Sequence, residues 1–451
     1  MNGPAWRVSD GSDRLLAALY LAGIYLGIAA HLPGGTPIPA VVAGAAGMAM
    51  LVKHSPAIRP NEISALLTVA VLALISILLA PETGLLRERF KGLVQFGYSL
   101  AIGYGFFLAA HRLTGRWLRR YALAFAMLIL FVAVLESAVP AVRAASDAFR
   151  AWAFDFGVYS SDIRDQALYG RIRPNAFTSE PSFASFGFTM FSFVWYVLSP
   201  AGYRTPAYLC LLGLGYFVLS GPTVLLGAPL IAAYQIFLAA RTGAPGQRRL
   251  DLRRSALGVG LTALLLALAV AAGSIGFSER VEEIFSGRDP SFFSRIVAPP
   301  LVAADIVARH PVTGAGLAGW EFIDGAVRQL YATTPLLNQG YVFDSAAHAI
   351  TNFFWLHWIF LGLLFGALVI VAMTVFLRSL GAPSPMFCWS VWAIFGQAAG
   401  GYVDPRTWTV LVLAAVVAVI HEREAAGSIG IQPTGPARSF TPVATVRFHP
   451  R

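Results

Sequence analysis

Charge is scarce in this chain: only 12% of its 451 residues are Asp, Glu, Lys or Arg, while 57% are hydrophobic. Soluble domains carry roughly a quarter of their residues charged, so this composition, with a mean hydropathy of +0.66, excludes an ordinary soluble protein and indicates a polytopic membrane protein. Cysteine is almost absent. Cys210 and Cys388 fall inside apolar segments, lack metal-ligand spacing and read as packing residues. There is no HExxH, no paired Asp pattern and no Cys-His cluster to suggest a metal, and neither a P-loop nor a dinucleotide fingerprint to suggest a cofactor. The net charge of +10 comes from arginines scattered among loops and not gathered into a stripe, which argues against a nucleic-acid partner and for membrane topology and anionic lipid. Few ionisable groups lie away from the ends of the apolar runs, Glu136 and His357 near boundaries being exceptions, which argues against an ion or proton relay. The two halves show no repeat that would favour an inverted-repeat transporter.

What the chain does have is long apolar runs. A helix crossing the hydrocarbon core needs about 20 mostly apolar residues. The runs Leu15 to Ala30, Ile38 to Val52, Ile63 to Ala80, Leu93 to Ala110 and Leu118 to Val139 meet that test, then Phe183 to Leu198, Pro206 to Leu219, Val224 to Ala240 and Ala256 to Phe277, and finally Phe353 to Leu377, Met386 to Gly400 and Trp408 to His421. The expected fold is all-α with about twelve spans. The polar start Met1 to Arg14 runs into the first span with no cleavable leader, so that span is expected to be retained.

Lys and Arg accumulate on the cytoplasmic side of a membrane protein. The clusters at Lys53 and Arg59, at Arg112 to Arg120 and at Arg241 to Arg254 place both termini in the cytoplasm, against the weaker opposing group Arg87, Arg89 and Lys91. The expected organisation is then a cytoplasmic start (1–14), spans one to five (15–142), an outer segment (143–181), spans six to nine (182–277), a large outer loop (278–349), spans ten to twelve (350–421) and a disordered cytoplasmic tail (422–451).

The two outer segments hold the residues that can do chemistry. In the first, Arg171 and Arg173 flank Ile172 and share a side if the strip is extended. Glu180 precedes Pro181, where a helix begins, and a carboxylate is favoured at a helix amino terminus. Two readings stand: catalytic use, or lipid-binding arginines beside a capping glutamate. The second segment offers Arg288, Arg295, Arg309 and Arg328. The planar arginine fork suits a diphosphate, while for Arg309 and Arg328 a solvated surface is preferred. Pro311 ends a short helix over Leu301 to Arg309, and Gly314 and Gly316 permit a tight turn after His310. His348 is the titratable residue best suited to general-base work. If a helix starts near Asp344, then Asp344, His348, Thr351 and Asn352 share a face and Asp344 orients the imidazole; an ordinary histidine at headgroup level is the other reading.

At these residues the chain resembles the O-antigen ligase and O-antigen polymerase family of bacterial surface-polysaccharide proteins. The similarity lies in Arg295 leading through a helix to His310-Pro311-Val312-Thr313-Gly314-Ala315-Gly316, in the strip Arg173 to Ser182 entering a span, and in the polar re-entry His348 to Asn352 leading to Gly362. The resemblance implies a GT-C-like, metal-independent, inverting glycosyltransferase of the bacterial inner membrane that uses an undecaprenyl-diphosphate-linked oligosaccharide. It matches Arg173 and Arg295 to the arginines near the donor diphosphate and sets His348 near the catalytic histidine; the reading built on it adds Arg171 and Arg288 in support, Asp344 to orient His348 as base, and Glu180 as the reserve base. Ligase-like members carry adjacent His and Asn at the re-entry; here Thr351 precedes Asn352 and His348 lies a turn earlier. That difference favours a polymerase of exopolysaccharide or O-antigen over a ligase acting on lipid A core. The expected partners are the lipid-linked glycan, the bilayer and other polysaccharide-assembly membrane proteins, with no cofactor. The rivals are a transporter of a lipid-linked glycan or small anion, and a membrane scaffold.

Overall fold

A computed structural model describes residues 10–31, 37–154, 162–239, 241–242, 249–250, 278–338 and 343–428, and the isolated positions 256, 260 and 263. Apart from those three positions, the expected span Ala256 to Phe277 lies outside the described residues, as does the tail from residue 429. Among the described residues the architecture is all-α apart from two antiparallel pairings of two residues each, Ala30–His31 with Pro37–Ile38 and Arg241–Thr242 with Arg249–Leu250.

Helices α1 (Gly11–Leu26), α2 (Val41–Lys53), α3 (Pro60–Leu78), α4 (Leu86–Ala110) and α5 (Gly115–Ala138) follow one another with short connections. Local chemistry sets their ends. Asp10 accepts from Ser12 N–H before α1, Thr114 accepts from Trp117 N–H before α5, and Pro60 occupies the first turn of α3, where its missing N–H costs nothing. Helix α2 packs against both α1 and α4. The close approach depends on small residues: a Cβ on Gly105 would strike the Gly47 carbonyl, and one on Gly23 would lie 2.5 Å from the Ala43 nitrogen.

Helices α6 (Pro140–Ala153) and α7 (Asp162–Tyr169) precede α8 (Pro181–Leu198), which is buried along almost its whole length against α5, α9 (Arg204–Leu219) and the carboxyl-terminal helices. After α10 (Gly227–Tyr234) and α11 (Ser278–Phe285), a π-helical turn at Phe293–Val297 leads into α12 (Ala298–Arg309). Then come α13 (Trp320–Ala332), the single turn α14 (Ala346–Ala349), α15 (Phe353–Ser379), α16 (Pro385–Gly396) and α17 (Pro405–Ser428).

Among the described residues, 7 helical stretches are long and apolar enough to cross a membrane: Pro60–Leu78, Thr83–Ala110, Gly115–Ala138, Pro181–Leu198, Pro222–Ala239, Pro290–Arg309 and Phe353–Ser379. Val41–Lys53, Arg204–Leu219 and Pro385–Gly396 are shorter apolar helices. The stretch Pro290–Arg309 is a departure from the sequence reading, which placed it in an external loop. Its charges are spaced widely enough to leave an apolar helix that packs along α15.

Helix α15 is broken at Gly362, whose φ of 66° and ψ of −171° lie in a region open essentially to glycine. A break frees backbone groups that hydrocarbon cannot satisfy. The turn after α12 supplies them: Leu363 N–H donates to the Pro311 carbonyl at 2.7 Å, and Ala315 N–H donates to the Ile359 carbonyl at 2.8 Å. Gly314 and Gly362 meet there backbone to backbone, and a Cβ on Gly362 would sit 2.6 Å from the Gly314 nitrogen. The joint is bridged by His357, which is fully buried, with Nε2 3.0 Å from the Gly366 carbonyl and Nδ1 2.9 Å from the Tyr402 hydroxyl.

Candidate functional site

Polar side chains gather at the two ends of the bundle. At one end Asp13 bonds Lys53 at 2.7 Å and His54 Nε2 at 3.0 Å, Arg112 donates to His54 Nδ1 at 3.1 Å, and Arg423 donates to the His111 and Leu113 carbonyls. Since Arg112 can only donate, His54 Nδ1 is the acceptor, and Nε2–H is left to donate to Asp13. Burial pushes the His111 imidazole down to about 4, helped by the nearby cations Arg112 and Arg423. This end carries basic residues close to the helix termini.

The opposite end holds most of the candidate residues, organised by the strip from Arg171 to Ser182. Glu136, buried at the end of α5, accepts from the N–H groups of Asn175 at 3.0 Å and Ala176 at 2.7 Å. Tyr25 from α1 donates to the Ala176 carbonyl at 2.8 Å. Ala176 and Phe177 both take positive φ, 46° and 63°, conformations that side chains disfavour and that the clamp on Ala176 maintains. Thr178 closes the turn by donating to the Asn175 and Glu180 carbonyls, each at 2.7 Å.

This rigid strip separates its charged residues. Arg171 points toward the end of α9, donating to Ser220 Oγ at 2.6 Å and to the Phe217 and Val218 carbonyls. Arg173 turns instead to buried Asp165, with Nε–Oδ1 at 3.0 Å and Nη2–Oδ1 at 2.9 Å, and lies over the Tyr169 ring. The two arginines expected on one side thus serve different neighbours, because the strip is not a plain extended segment. Glu180 is the residue before α8, yet its side chain caps no helix N–H; its Oε2 accepts from the Ser182 hydroxyl at 2.7 Å.

Arg406, in the first turn of α17, lies within electrostatic reach of Glu180, Asp404 and Tyr25. Its Nε donates to the Ile24 carbonyl at 3.1 Å and its guanidinium stacks on Phe183 at 4.1 Å. Arg406, Ile24 and Phe183 line a small crevice whose other walls are Tyr25, Phe186, Gly187 and Met190. A second small crevice, lined only by apolar side chains, shares Met190 and lies between α8, α16 and α17. Burial pushes the Asp404 carboxyl up. The sequence reading missed Arg406 and Asp404; the signal was a charge pair at the mouth of a span.

Arg295 sits half-buried in the π-helical turn, a local form often found at functional sites. Its carbonyl accepts from Asn352 Nδ2 at 2.7 Å, and the same amide nitrogen donates to Gln397 at 3.0 Å. Thr351 N–H donates to the Ser294 carbonyl at 3.0 Å. The π turn, the start of α15 and the end of α16 therefore meet.

His348 and Asp344 are arranged differently from the expected pair. The helix holding His348 ends at Ala349, and Asn352 starts a new one by accepting from Trp355 N–H, so the four polar residues share no helical face. His348 and Asp344 are both exposed, and among the described residues no hydrogen bond joins them. Arg288 is an exposed residue engaged locally with Ser286 at 2.8 Å and Glu282 at 3.6 Å. Arg309 and Arg328 pair with Asp305 and Asp324 one turn away on their own helices. No group of three His, Cys, Asp or Glu side chains is placed to hold a metal among the described residues. In comparisons with known proteins, no family model matches the chain, and no curated protein matches it.

Proposed function

We propose that the chain is a membrane glycosyltransferase, a polymerase of exopolysaccharide or O-antigen, that moves a glycan from an undecaprenyl-diphosphate carrier to a sugar hydroxyl of another lipid-linked unit. The fold in this reading is GT-C-like with about twelve spans, in the bacterial inner membrane with both termini cytoplasmic, as the loop charges suggest. The observation that carries it is the clamped strip: Arg173 at one end, Glu180 at the other, and Arg406 above an apolar cleft beside Glu180.

In the reaction the acceptor oxygen attacks the anomeric carbon from the side opposite the diphosphate. The new C–O bond forms as the C–O bond to phosphate breaks, the diphosphate leaves with the electron pair, and configuration inverts. Glu180 takes the acceptor proton, since it is held by Ser182 and partly shielded. Arg173, Arg295 and Arg406 stabilise charge developing on the leaving diphosphate, with Arg171 and Arg288 outside that immediate group. Arg173 must then exchange part of its contact with Asp165 for the phosphate. Ligation to lipid A core uses the same donor chemistry and differs in the acceptor.

The break in α15 favours a second reading, a carrier for a lipid-linked glycan or anion, because carriers build sites on interrupted helices. Here, however, the freed backbone groups are bonded to the Pro311–Ala315 turn.

The test is a gel of lipid-linked glycan from host membranes lacking the protein, complemented with wild type, Glu180→Gln or Arg406→Ala. A ladder of repeat lengths restored by wild type and collapsed to one unit by either variant supports polymerisation at this site. Full-length glycan that fails to reach its acceptor, or that accumulates on the inner face, moves the assignment to ligase or carrier respectively.

A further inference from the structure

Helix α6 is inside out by the standards of a water-facing helix. Its exposed stripe is Ala141, Ala144, Ala145, Ala148, Ala151 and Trp152, a spacing of three and four that forms one face with no charge on it. Trp152 is 73% exposed. The opposite stripe is buried and polar: Ser146 and Arg150 point into the protein, and Arg150 donates to Asp147 at 2.8 Å and to the Ser179 carbonyl at 3.0 Å. Water on the outer face would favour the reverse arrangement, with arginine out and tryptophan in.

The apolar stripe is also continuous with a larger surface. Helix α5 is apolar enough to cross a membrane and exposes Leu128, Phe131 and Val134 along its length. Val139, 39% exposed, carries that stripe across the junction, and Pro140 begins α6 one residue after α5 ends. The junction lies at the end of α5 away from Arg116, Arg119 and Arg120, where a chain leaving the hydrocarbon reaches the headgroups. A side chain such as Trp152 is favoured at that depth.

We infer that α6 is an in-plane interfacial helix whose alanine and Trp152 face is seated in the headgroup and upper acyl region of the bilayer, so that the partner of this surface is lipid. Its buried side holds the Ser179 carbonyl next to Glu180, and the helix ties the strip to the leaflet. Insertion by 5–10 Å is ordinary for such helices. The assignment stands whether or not the chain transfers sugars, because it uses no residue of that chemistry.

The full chain carrying Cys210→Ala, with buried Cys388 retained, is reconstituted in vesicles of phosphatidylethanolamine and phosphatidylglycerol. A nitroxide is attached in separate variants at Ala144→Cys, Ala148→Cys and, as an aqueous reference, Thr333→Cys. Collisional accessibility to oxygen and to a water-soluble nickel chelate is then measured. The expected result is an oxygen-to-nickel ratio several-fold above the Thr333 site at both alanine positions. A ratio equal to that of Thr333 puts the face in water and overturns the assignment. Low accessibility to both reagents means that protein covers the face, whether a second copy or another partner, and overturns it equally. Two label positions keep the result readable if one variant fails to fold, and glycan synthesis is not needed for the readout.

Discussion

The Glu136 carboxylate holds the backbone N–H of Ala176 at 2.7 Å, joining the end of a membrane-length helix to a residue forced into positive φ. A single buried acid thus explains how a strip without regular structure keeps one shape. Removing it leaves the Asn175 and Ala176 donors without their acceptor, at about 1–3 kcal/mol for each group. Glu136→Ala is expected to lower the melting temperature in detergent well below wild type, with Glu136→Asp between the two. Unchanged melting in Glu136→Ala shows that Tyr25 and Thr178 suffice to hold the strip.

Glu180 and His348 differ in a way that kinetics can resolve. General-base removal costs about 10²–10⁴-fold in rate, so Glu180→Gln is expected to lose that much glycan-transfer rate at normal membrane abundance. His348→Ala, exposed and outside the clamped strip, is expected to stay within about threefold of wild type, a factor of about 0.7 kcal/mol in barrier height. The reverse ranking returns the base to His348.

Sequence patterns carried the membrane-length helices well, because apolar runs such as those in α3, α5, α8 and α15 leave few alternatives. They carried the site less well. The face shared by Asp344 and His348 assumed one continuous helix, but Asn352 caps a new one and the register is lost. Arg406 reaches Phe183 and the α1 carbonyls only through packing of segments far apart in the chain. Gly362 was noted only as the end of the re-entry stretch, because its break depends on a partner turn about fifty residues upstream, a distance read from the numbering of Pro311 and Gly362. Within Pro290–Arg309 the sequence reading found only a short helix over Leu301 to Arg309 inside an outer loop; Pro299 and Pro300 sit in the first turn of the longer helix, where they are tolerated.

The joint between Gly314 and Gly362 admits no side chain. Gly362 occupies a backbone region whose cost for other residues is of order 1–3 kcal/mol before any clash is counted, and a methyl on Gly314 would strike the Ile359 carbonyl. Gly362→Ala and Gly314→Ala are both expected to cut the folded fraction recovered in a fluorescence size-exclusion profile. Gly325→Ala is the control, because a Cβ there meets nothing within 4 Å; it is expected to match wild type. Normal profiles for both joint variants make the break mobile and strengthen the carrier reading.

The last expectation concerns pH and the opposite end of the bundle. His111 is buried, its Nδ1 lies 2.7 Å from the Phe107 carbonyl, and its imidazole titrates near 4 instead of the ordinary value of about 6.5. The folded state therefore resists protonation that the unfolded chain accepts. The contribution of this histidine to stability is complete above about pH 6.5 and is lost progressively as pH falls from there toward 4. Arg112 and Arg423 act in the same direction, since each repels a proton on His111. Replacing it with Gln keeps a donor for the Phe107 carbonyl and removes the titration. Wild type is expected to lose melting temperature more steeply than His111→Gln between pH 6.5 and 4.5, while the two run parallel between pH 7 and 8. Parallel curves throughout show that His111 does not set the acid sensitivity.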